Sequence, residues 1–345
     1  MHAKFLVLPS HAIATMHTLK WRRACLWAVL GMLAYGCQSV EPRGYSVLGA
    51  NDDYAVVHVS GPTSLGALAQ DFLGSEHRGW VIGDRNGITE LEPGDTVVIP
   101  LQSRNAVGIQ SGAYQTVPIL SYHRFGPNNG RLSVTGEQFR LQLEYLKTNG
   151  FTVIPLSLVY DFLQGNQALP KRSVVITIDD GYRSTYEIAF PILKEYGFPA
   201  TVFVYTDWIG KGGLTWTQMA KMKASGLIDI QAHSKSHSNL TVRLENETLQ
   251  EYRARVSTEV QQPKTRLEKN LDGPIENFSY PYGATNALLV DELRRGDYRL
   301  GLTVKRGGNA FFYHPYTLRR TMIYRDDGLE RFAQALQTSI PLPNK

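Results

Sequence analysis

Apolar runs alternate with helix-length polar segments after residue 117. Val117 to Tyr122 predicts a strand, and Thr135 to Asn149 predicts a helix with a Thr135-x-x-Gln138 capping box. A second helix is predicted from Ser184 to Tyr196, ending at Gly197. Further strands are predicted at Phe151–Pro155, Val174–Ile178, Ala200–Tyr205, Ile228–Ala232, Asn277–Tyr280, Leu300–Val304 and Leu318–Tyr324. This alternation predicts a parallel α/β array, and the pattern alone leaves an open sheet or a closed barrel.

Residues 54–101 have a pattern of their own. Tyr54 to Val59 predicts a strand, and Thr63 to Phe72 has apolar residues at helical spacing, with Thr63 or Ser64 as its cap. Trp80 to Asn86 predicts a second short helix, and Thr96 to Pro100 predicts a closing strand after a Pro-Gly-Asp turn. We therefore expect a small β-α-α-β unit before the α/β array.

The first 37 residues are typical of an export signal. They carry four basic and no acidic side chains, so the formal charge of +5 falls to +1 for residues 38–345 and gives no argument for nucleic-acid binding. Ala24 to Leu33 is apolar but too short to span a bilayer. Leu33 to Cys37 resembles a bacterial lipobox, although its Leu is one position too early. We expect a lipid anchor on Cys37 in the bacterial envelope; secretion and a retained membrane anchor are the alternatives. Cys25 and Cys37 are the two cysteines, so the mature chain has no disulfide framework.

Two polar segments follow predicted strands and carry the chemistry. Asp179-Asp180-Gly181 ends one strand, and Gly181 permits the turn that lets adjacent carboxylates converge. His233 and His237 follow another strand in a Ser-rich segment. One carboxylate and two imidazoles form a three-ligand metal set with an open position, and the second carboxylate is left to act as a base. The pattern predicts a metal-assisted hydrolase; a plain turn and solvated histidines are the alternative.

These segments resemble the signatures of polysaccharide deacetylases of the NodB homology type, carbohydrate esterase family four. The signatures stand here as Thr177 to Gly181, His233 to His237, and Ser279 to Gly283, in the family's order, and the resemblance covers residues 117–340. It implies an incomplete, distorted (β/α) barrel of about seven strands. It also implies that Asp180, His233 and His237 hold a divalent metal, zinc first, with cobalt, nickel or manganese as alternatives. By the same resemblance Asp179 is the catalytic base, and the backbone N–H of Tyr282 is an oxyanion donor.

The chain departs from the family pattern at two places. Phe278 stands where many members carry an arginine that pairs with the catalytic aspartate, and Arg320 is the predicted replacement unless it lies on the surface. The late motif that supplies a general-acid histidine has no clear match; His314 is the histidine in that region. Substrate contacts are expected from His123, Trp216 and Pro281. The alternatives are structural roles for His123 and Trp216 and a plain turn for Pro281 to Gly283.

Residues 50–101 resemble a LysM domain, through Asn86, Ile88, Leu91, Pro93 to Asp95, Ile99 and Pro100. That resemblance implies binding to N-acetylglucosamine-containing glycans, and a spacer without affinity is the alternative. Residues 102–116 are polar and predict a linker. The leading prediction is removal of N-acetyl groups from a GlcNAc-containing envelope or extracellular polysaccharide such as peptidoglycan, a chitin-like polymer or poly-N-acetylglucosamine. The alternatives are a glycan-binding lipoprotein with an inactive barrel and an O-acetyl or xylan esterase.

Overall fold

The structure is a computed structural model that describes residues 44–102, 105–110, 112–127 and 130–342. The predicted leader, with Cys37, lies outside the described residues. The chain divides into two compact units: an N-terminal unit of residues 44–51 and Ala55–Ile99, and a barrel unit that comprises the residues from Pro100 onward together with Asp52–Tyr54. Among the described helices, none has the length and apolar character needed to cross a membrane.

The N-terminal unit contains the predicted strand, two helices and closing strand, together with one more strand. Its elements are β1 (Tyr45–Ala50), β2 (Tyr54–Val59), α1 (Leu65–Leu73), α2 (Gly79–Asn86) and β3 (Thr96–Pro100). The sheet order is β1-β2-β3, and β1 is antiparallel to β2. Sequence reasoning missed β1 because five of its six side chains are exposed, so it lacks the alternating apolar pattern of a half-buried strand.

Hydrogen bonds fix the helices of this unit. Ser64 is the cap of α1, since its hydroxyl accepts from the Ala67 N–H at 3.1 Å. The Asn86 side chain donates to the carbonyls of Ile82 and Val98, at 2.8 Å each, and accepts from the Val98 N–H at 2.9 Å. Asn86 therefore joins the end of α2 to β3.

The barrel unit alternates strands and helices as predicted. Its strands are β4 (Ile109–Gln110), β5 (Ala113–Gln115), β6 (Val117–Tyr122), β7 (Arg124–Phe125), β8 (Ser133–Val134), β9 (Thr152–Val153), β10 (Ser173–Ile178), β11 (Ala200–Val204), β12 (Ile228–Ala232), β13 (Asn277–Ser279), β14 (Leu300–Leu302), β15 (Gly308–Asn309), β16 (Thr321–Met322) and β17 (Ser339–Pro341). Its α-helices are α3 (Gly136–Thr148), α4 (Ser157–Leu163), α5 (Phe190–Tyr196), α6 (Trp216–Ala224), α7 (Leu249–Asn270), α8 (Ala287–Arg295) and α9 (Leu329–Gln334).

The main sheet is a curled half-barrel with the order β14-β13-β12-β11-β10-β6-β15. The five pairings from β14 to β6 are parallel, and β15 is antiparallel to β6. Leu318 bridges to Leu302 on β14, and β16, three residues later, pairs with β6, so this segment reaches from one side of the curl to the other. The predicted distorted barrel is confirmed, and its parallel strands aim their carboxyl ends at one common edge.

The predicted linker 102–116 is wrong over its second half. Ile109–Gln110 and Ala113–Gln115 form an antiparallel pair, and β17 adds to β5 as a third strand. The polar composition of this stretch concealed two short strands, and the pairing of β5 with residues 339–341 is too distant in sequence to be seen in a local pattern.

One predicted helix differs at its start. Thr185–Ala189 is a π-helical turn, and the α-helix α5 begins only at Phe190. Pro191 has no N–H to donate to the carbonyl four residues earlier, which favours the wider turn before it. The capping box of α3 is present as predicted: Gln138 N–H donates to the Thr135 hydroxyl at 3.1 Å, and Thr135 N–H donates to the Gln138 side chain at 3.0 Å.

Candidate metal centre and active site

A strained turn at the end of β10 brings two carboxylates to the same cavity. All six side chains of β10 are buried, and the chain turns immediately after it, with Asp180 at φ 72° and Gly181 at φ 65°. A Cβ on Gly181 would lie 2.7 Å from a methyl carbon of Val204 on β11, so this position needs glycine for both its conformation and its space. The turn redirects the chain so that Asp179 and Asp180 both line one cavity.

Arg320 holds Asp179 in a buried two-pronged ion pair. Its guanidinium donates to the two carboxylate oxygens at 2.8 and 2.7 Å, and its side chain is fully buried. The Ser279 hydroxyl donates to Asp179 Oδ2 at 3.0 Å and accepts from Arg320 at 2.8 Å. Burial alone would raise the pKa of Asp179, but Arg320 and then His233 lower it to about 2. Asp179 is therefore ionised at neutral pH, and Arg320 is not a surface residue.

Asp180, His233 and His237 bring three potential metal ligands together. One ligand atom from each lies within 4.8 Å of the others. Asp180 Oδ1 is 3.3 Å from His233 Nε2 and 3.2 Å from His237 Nε2. Burial alone would raise the pKa of Asp180, but the adjacent imidazoles of His233 and His237 hold it well below its ordinary value. The same carboxylates, Asp179 foremost, raise the pKa of His233 against its burial.

The donor pattern shows that this set fits a cation. His233 Nδ1 lies 2.7 Å from the Ser279 carbonyl, which can only accept, so Nδ1 carries the proton. In the neutral ring Nε2 then has a lone pair facing Asp180 Oδ1, which is buried without a hydrogen-bond partner of good geometry. Two acceptors that face each other at this distance are satisfied by a positive ion between them. Ligand atoms on a tetrahedral zinc, with bonds of about 2.0–2.2 Å, are separated by roughly 3.3–3.6 Å, which matches these spacings.

A buried glutamate braces the loop that carries the two histidines. Glu259 on α7 accepts from the N–H groups of Lys235 and Ser236 at 3.0 and 2.9 Å and from the Ser236 hydroxyl at 2.6 Å. His237 N–H donates to the Ser234 hydroxyl at 2.9 Å, and Ser234 and His237 have φ values of 68° and 63°. Such backbone conformations cost free energy, so these hydrogen bonds are what hold the loop in place. No sequence pattern indicated Glu259.

Tyr282 completes one wall of the cavity. It stands at φ 59° in the 3-10 turn Pro281–Gly283, and its ring lies edge-on to His237 with 4.9 Å between centroids. A Cβ on the following Gly283 would come within 2.5 Å of Val304, so the turn packs backbone directly against that residue. Tyr205 contacts His237 from another direction at 5.1 Å, and burial raises its pKa to about 12, so it stays neutral.

His123 follows β6 and lines the same cavity, which has a volume of about 290 Å³. It is 8% exposed, and its Nδ1 is buried without a hydrogen-bond partner. Burial lowers its pKa, although Asp179 and Asp180 oppose that shift. Met322 and Leu132 add an apolar part to the lining.

Other residues predicted for the site lie elsewhere. Trp216 does not line the cavity: it is the first residue of α6, packs against the hydrophobic core and has Arg266 over its ring at 5.7 Å. Pro281 is buried in the turn before Tyr282 and does not line the cavity either. His314 is exposed, 3.3 Å from Arg294, and caps the turn Pro315–Thr317. Sequence reasoning gave Ser279 no role, although it lies inside the quoted third motif.

The segment that carries most of these site residues is similar to a known protein family. Residues 166–301 match the family model of the polysaccharide deacetylases. The matched segment includes Asp179, the three metal-site residues and Tyr282, whereas His123 and Arg320 lie outside it.

Two bacterial enzymes illustrate the sequence similarity. The poly-β-1,6-N-acetyl-D-glucosamine N-deacetylase of Escherichia coli K12 is 26% identical over 283 residues, which cover 70% of this chain and 42% of that enzyme. The enzyme of the same name from Staphylococcus epidermidis is 26% identical over 200 residues, which cover 56% of this chain and 69% of that one. The chain thus spans less than half of the length of the E. coli relative.

Solved structures share the fold. The Streptococcus pyogenes deacetylase PplD, in complex with acetate, matches with a TM-score of 0.59 and 28% identity, over 64% of this chain and 98% of that one. IcaB from Ammonifex degensii matches with a TM-score of 0.58 and 25% identity, over 65% and 98% of the two chains. The chain is therefore similar in sequence and fold to enzymes named as deacetylases.

Proposed function

We propose that the barrel unit is a metal-dependent hydrolase that removes N-acetyl groups from a GlcNAc-containing polysaccharide. The observation that carries this proposal is the three-ligand set of Asp180, His233 and His237 beside the ionised Asp179. A divalent ion, zinc first, would be held by that set, where it supplies Lewis-acid chemistry and makes water a better nucleophile at neutral pH.

Asp179 is the proposed general base. It lines the cavity, and the pair with Arg320 keeps it ionised and fixes its orientation. The backbone N–H of Tyr282, a residue that lines the cavity, is the proposed oxyanion donor, and it needs no reorganisation because the turn is already formed. Arg320 is a positioning residue, since it contacts Asp179 and does not itself line the cavity.

His123 is the proposed proton donor to the leaving amine. Its ring lines the same cavity as Asp179, and in the protonated ring the unpartnered Nδ1 would carry the proton that passes to the amine. His314 takes no part in this proposal because it contacts Arg294 and Tyr316 instead. This assignment places base and acid on the ends of two neighbouring strands, β10 and β6.

The proposed substrate follows from the relatives. Those from E. coli and S. epidermidis are named for poly-β-1,6-N-acetyl-D-glucosamine, which supports an N-acetylated glucosamine polymer as the class acted on here. We further propose that the N-terminal unit binds such a glycan as a LysM-like module. A lipid on Cys37 would hold the protein in the bacterial envelope.

Acetate release tests the activity. Purified protein is loaded with zinc and incubated with GlcNAc oligomers, and acetate and bound metal are both measured. We expect Asp180→Ala to lose metal and activity, and Asp179→Asn to lose activity while retaining about one ion. The exposed Asp291→Asn, on α8, is the matched control. Full activity in the Asp179→Asn protein would refute the proposed base.

A further inference from the structure

A second surface continues from the metal-site cavity and carries three arginines. A cavity of about 360 Å³ shares His123, Leu132 and Asp180 with the metal site and is also lined by Arg124 and Arg131. A third cavity, of about 500 Å³, shares Arg124 with it and reaches Arg183. We call the surface formed by Arg124, Arg131, Tyr182 and Arg183 the arginine groove; His123, Leu132 and Asp180 join it to the site.

The charges of the arginine groove are not balanced by the groove itself. Among the described residues that line these two cavities, Asp180 is the one carboxylate, and it belongs to the metal set. No ion pair within the described part of the chain involves Arg124, Arg131 or Arg183. The groove therefore presents an excess of positive charge beside the reacting position.

Tyrosine rings hold two of the guanidinium groups without consuming their hydrogen bonds. Arg124 lies 4.1 Å from the ring centre of Tyr182, and Arg131 lies 4.1 Å from that of Tyr324. A cation–π contact uses the face of the guanidinium and leaves the N–H donors on its edge free. These donors match the two oxygens of a carboxylate or phosphate. The backbone is also fixed, because β7, which begins at Arg124, pairs with β8.

We infer that the barrel unit acts on an acidic glycan, in which a sugar bearing a carboxylate or phosphate neighbours the N-acetylated sugar at the metal site. This inference rests on the proposed deacetylase function. The anionic substituent binds the arginine groove while the acetamide lies in the cavity lined by Asp179 and His123. A neutral polymer of GlcNAc lacks the group that these arginines recognise, and its deacetylated, cationic product is repelled by them.

Matched oligosaccharides test the inference. Zinc-loaded protein is given three N-acetylated tetrasaccharides: neutral GlcNAc, alternating GlcNAc with lactyl-bearing muramic acid, and 6-phosphorylated GlcNAc. A fourth arm carries the lactyl group as an amide. We expect at least one acidic substrate to exceed the neutral one in kcat/KM by about tenfold, since a hydrogen bond to a charged group is worth roughly that factor. The advantage should shrink at high salt and vanish on amidation if the carboxylate is the group recognised. A preference for the neutral tetrasaccharide would overturn the inference.

Variants assign the effect to the groove. Arg124→Gln and Arg131→Gln should each lose most of the advantage on the acidic substrate while keeping the rate on the neutral one. Arg253→Gln, an exposed arginine on α7, should change neither. An equal loss on both substrates would show a structural role and refute the proposed recognition.

Binding separates this inference from the proposed activity. If no substrate releases acetate, the deacetylase proposal fails, and titration calorimetry of the zinc-loaded protein with the same tetrasaccharides still decides the question. Tighter binding of an acidic one, lost in Arg124→Gln, supports the groove. Equal affinity for neutral and acidic sugars refutes it.

Discussion

Replacing Arg320 by methionine removes the buried cation and leaves Asp179 without its partner. The change deletes two hydrogen bonds to Asp179, at 2.8 and 2.7 Å, and one to Ser279 at 2.8 Å. Breaking a buried ion pair from one side costs about 3–5 kcal/mol of stability. The depression of the Asp179 pKa from 3.8 to about 2 corresponds to about 2.5 kcal/mol of that sum, at 1.36 kcal/mol per pH unit.

The pH dependence of this loss has a definite sign. In the native protein the folded pKa of Asp179 is depressed, so its contribution is present above pH 4 and is lost as the pH falls towards 2. In Arg320→Met the lowering effect of Arg320 is gone, so burial should raise the pKa of Asp179 in the folded protein above its value in the unfolded chain. The penalty is then largest at neutral pH and shrinks as the carboxyl takes up a proton in acid.

Urea unfolding at pH 7 and pH 4.5, together with the pH profile of kcat/KM, measures both consequences. We expect the variant to lose less stability at pH 4.5 than at pH 7 and the acid limb of its rate profile to move to higher pH. Arg320→Lys keeps a charge and should shift the limb less. The neighbouring Arg319→Met is the control, because that side chain lies over Tyr313 and not on Asp179. An unchanged acid limb together with an equal loss of stability at both pH values would refute the assigned role of the pair.

Three further outcomes are expected. Glu259→Gln should weaken zinc affinity at least tenfold, because it removes the negative charge from the hydrogen bonds that hold the histidine loop. The control Glu268→Gln, on the same helix, should leave the affinity unchanged. Equal zinc affinities of the two variants in a competitive chelator assay would refute this role. Deleting residues 50–101 should slow acetate release from insoluble glycan by about tenfold or more, yet leave short oligosaccharides unaffected, since only tethering is lost. Equal slowing on both would count against a tethering role. Cys37→Ser should move the protein from the membrane to the soluble envelope fraction, and unchanged fractionation would contradict a lipid anchor.

Elements with local signals could be predicted from the sequence. The strands β6 and β12 have the predicted bounds: β6 is mostly apolar, and apolar residues alternate with polar ones along β12. The α3 capping box was also visible in the sequence, because its two partners are only three residues apart. The elements that were missed have no such signal, since β1 is largely exposed and β5 depends on pairing with β17.

The site residues that could be predicted are likewise those that lie close together in the sequence. Asp179 and Asp180 lie next to each other, and the two histidines lie in one short segment, so residue types and spacing were enough to suggest a metal set. For Arg320 the sequence left two alternatives, a partner of Asp179 or a surface residue, and could not decide between them because the two residues are 141 positions apart. Glu259 was out of reach, because a glutamate in a long helix is usually solvated and only the fold shows this one buried against a loop.

The small sheet of β4, β5 and β17 has a practical consequence for handling the protein. Residues 113–115 lead directly into the start of β6, and residues 339–341 pair with them, so both connections to the barrel unit lie at the amino end of β6. His123 lies beyond the opposite end, about 20 Å away at roughly 3.3 Å per strand residue. A support or label joined after β17 therefore attaches to the barrel unit at the end of β6 opposite His123. Coupling at that point leaves the carboxyl ends of the barrel strands facing away from the attachment.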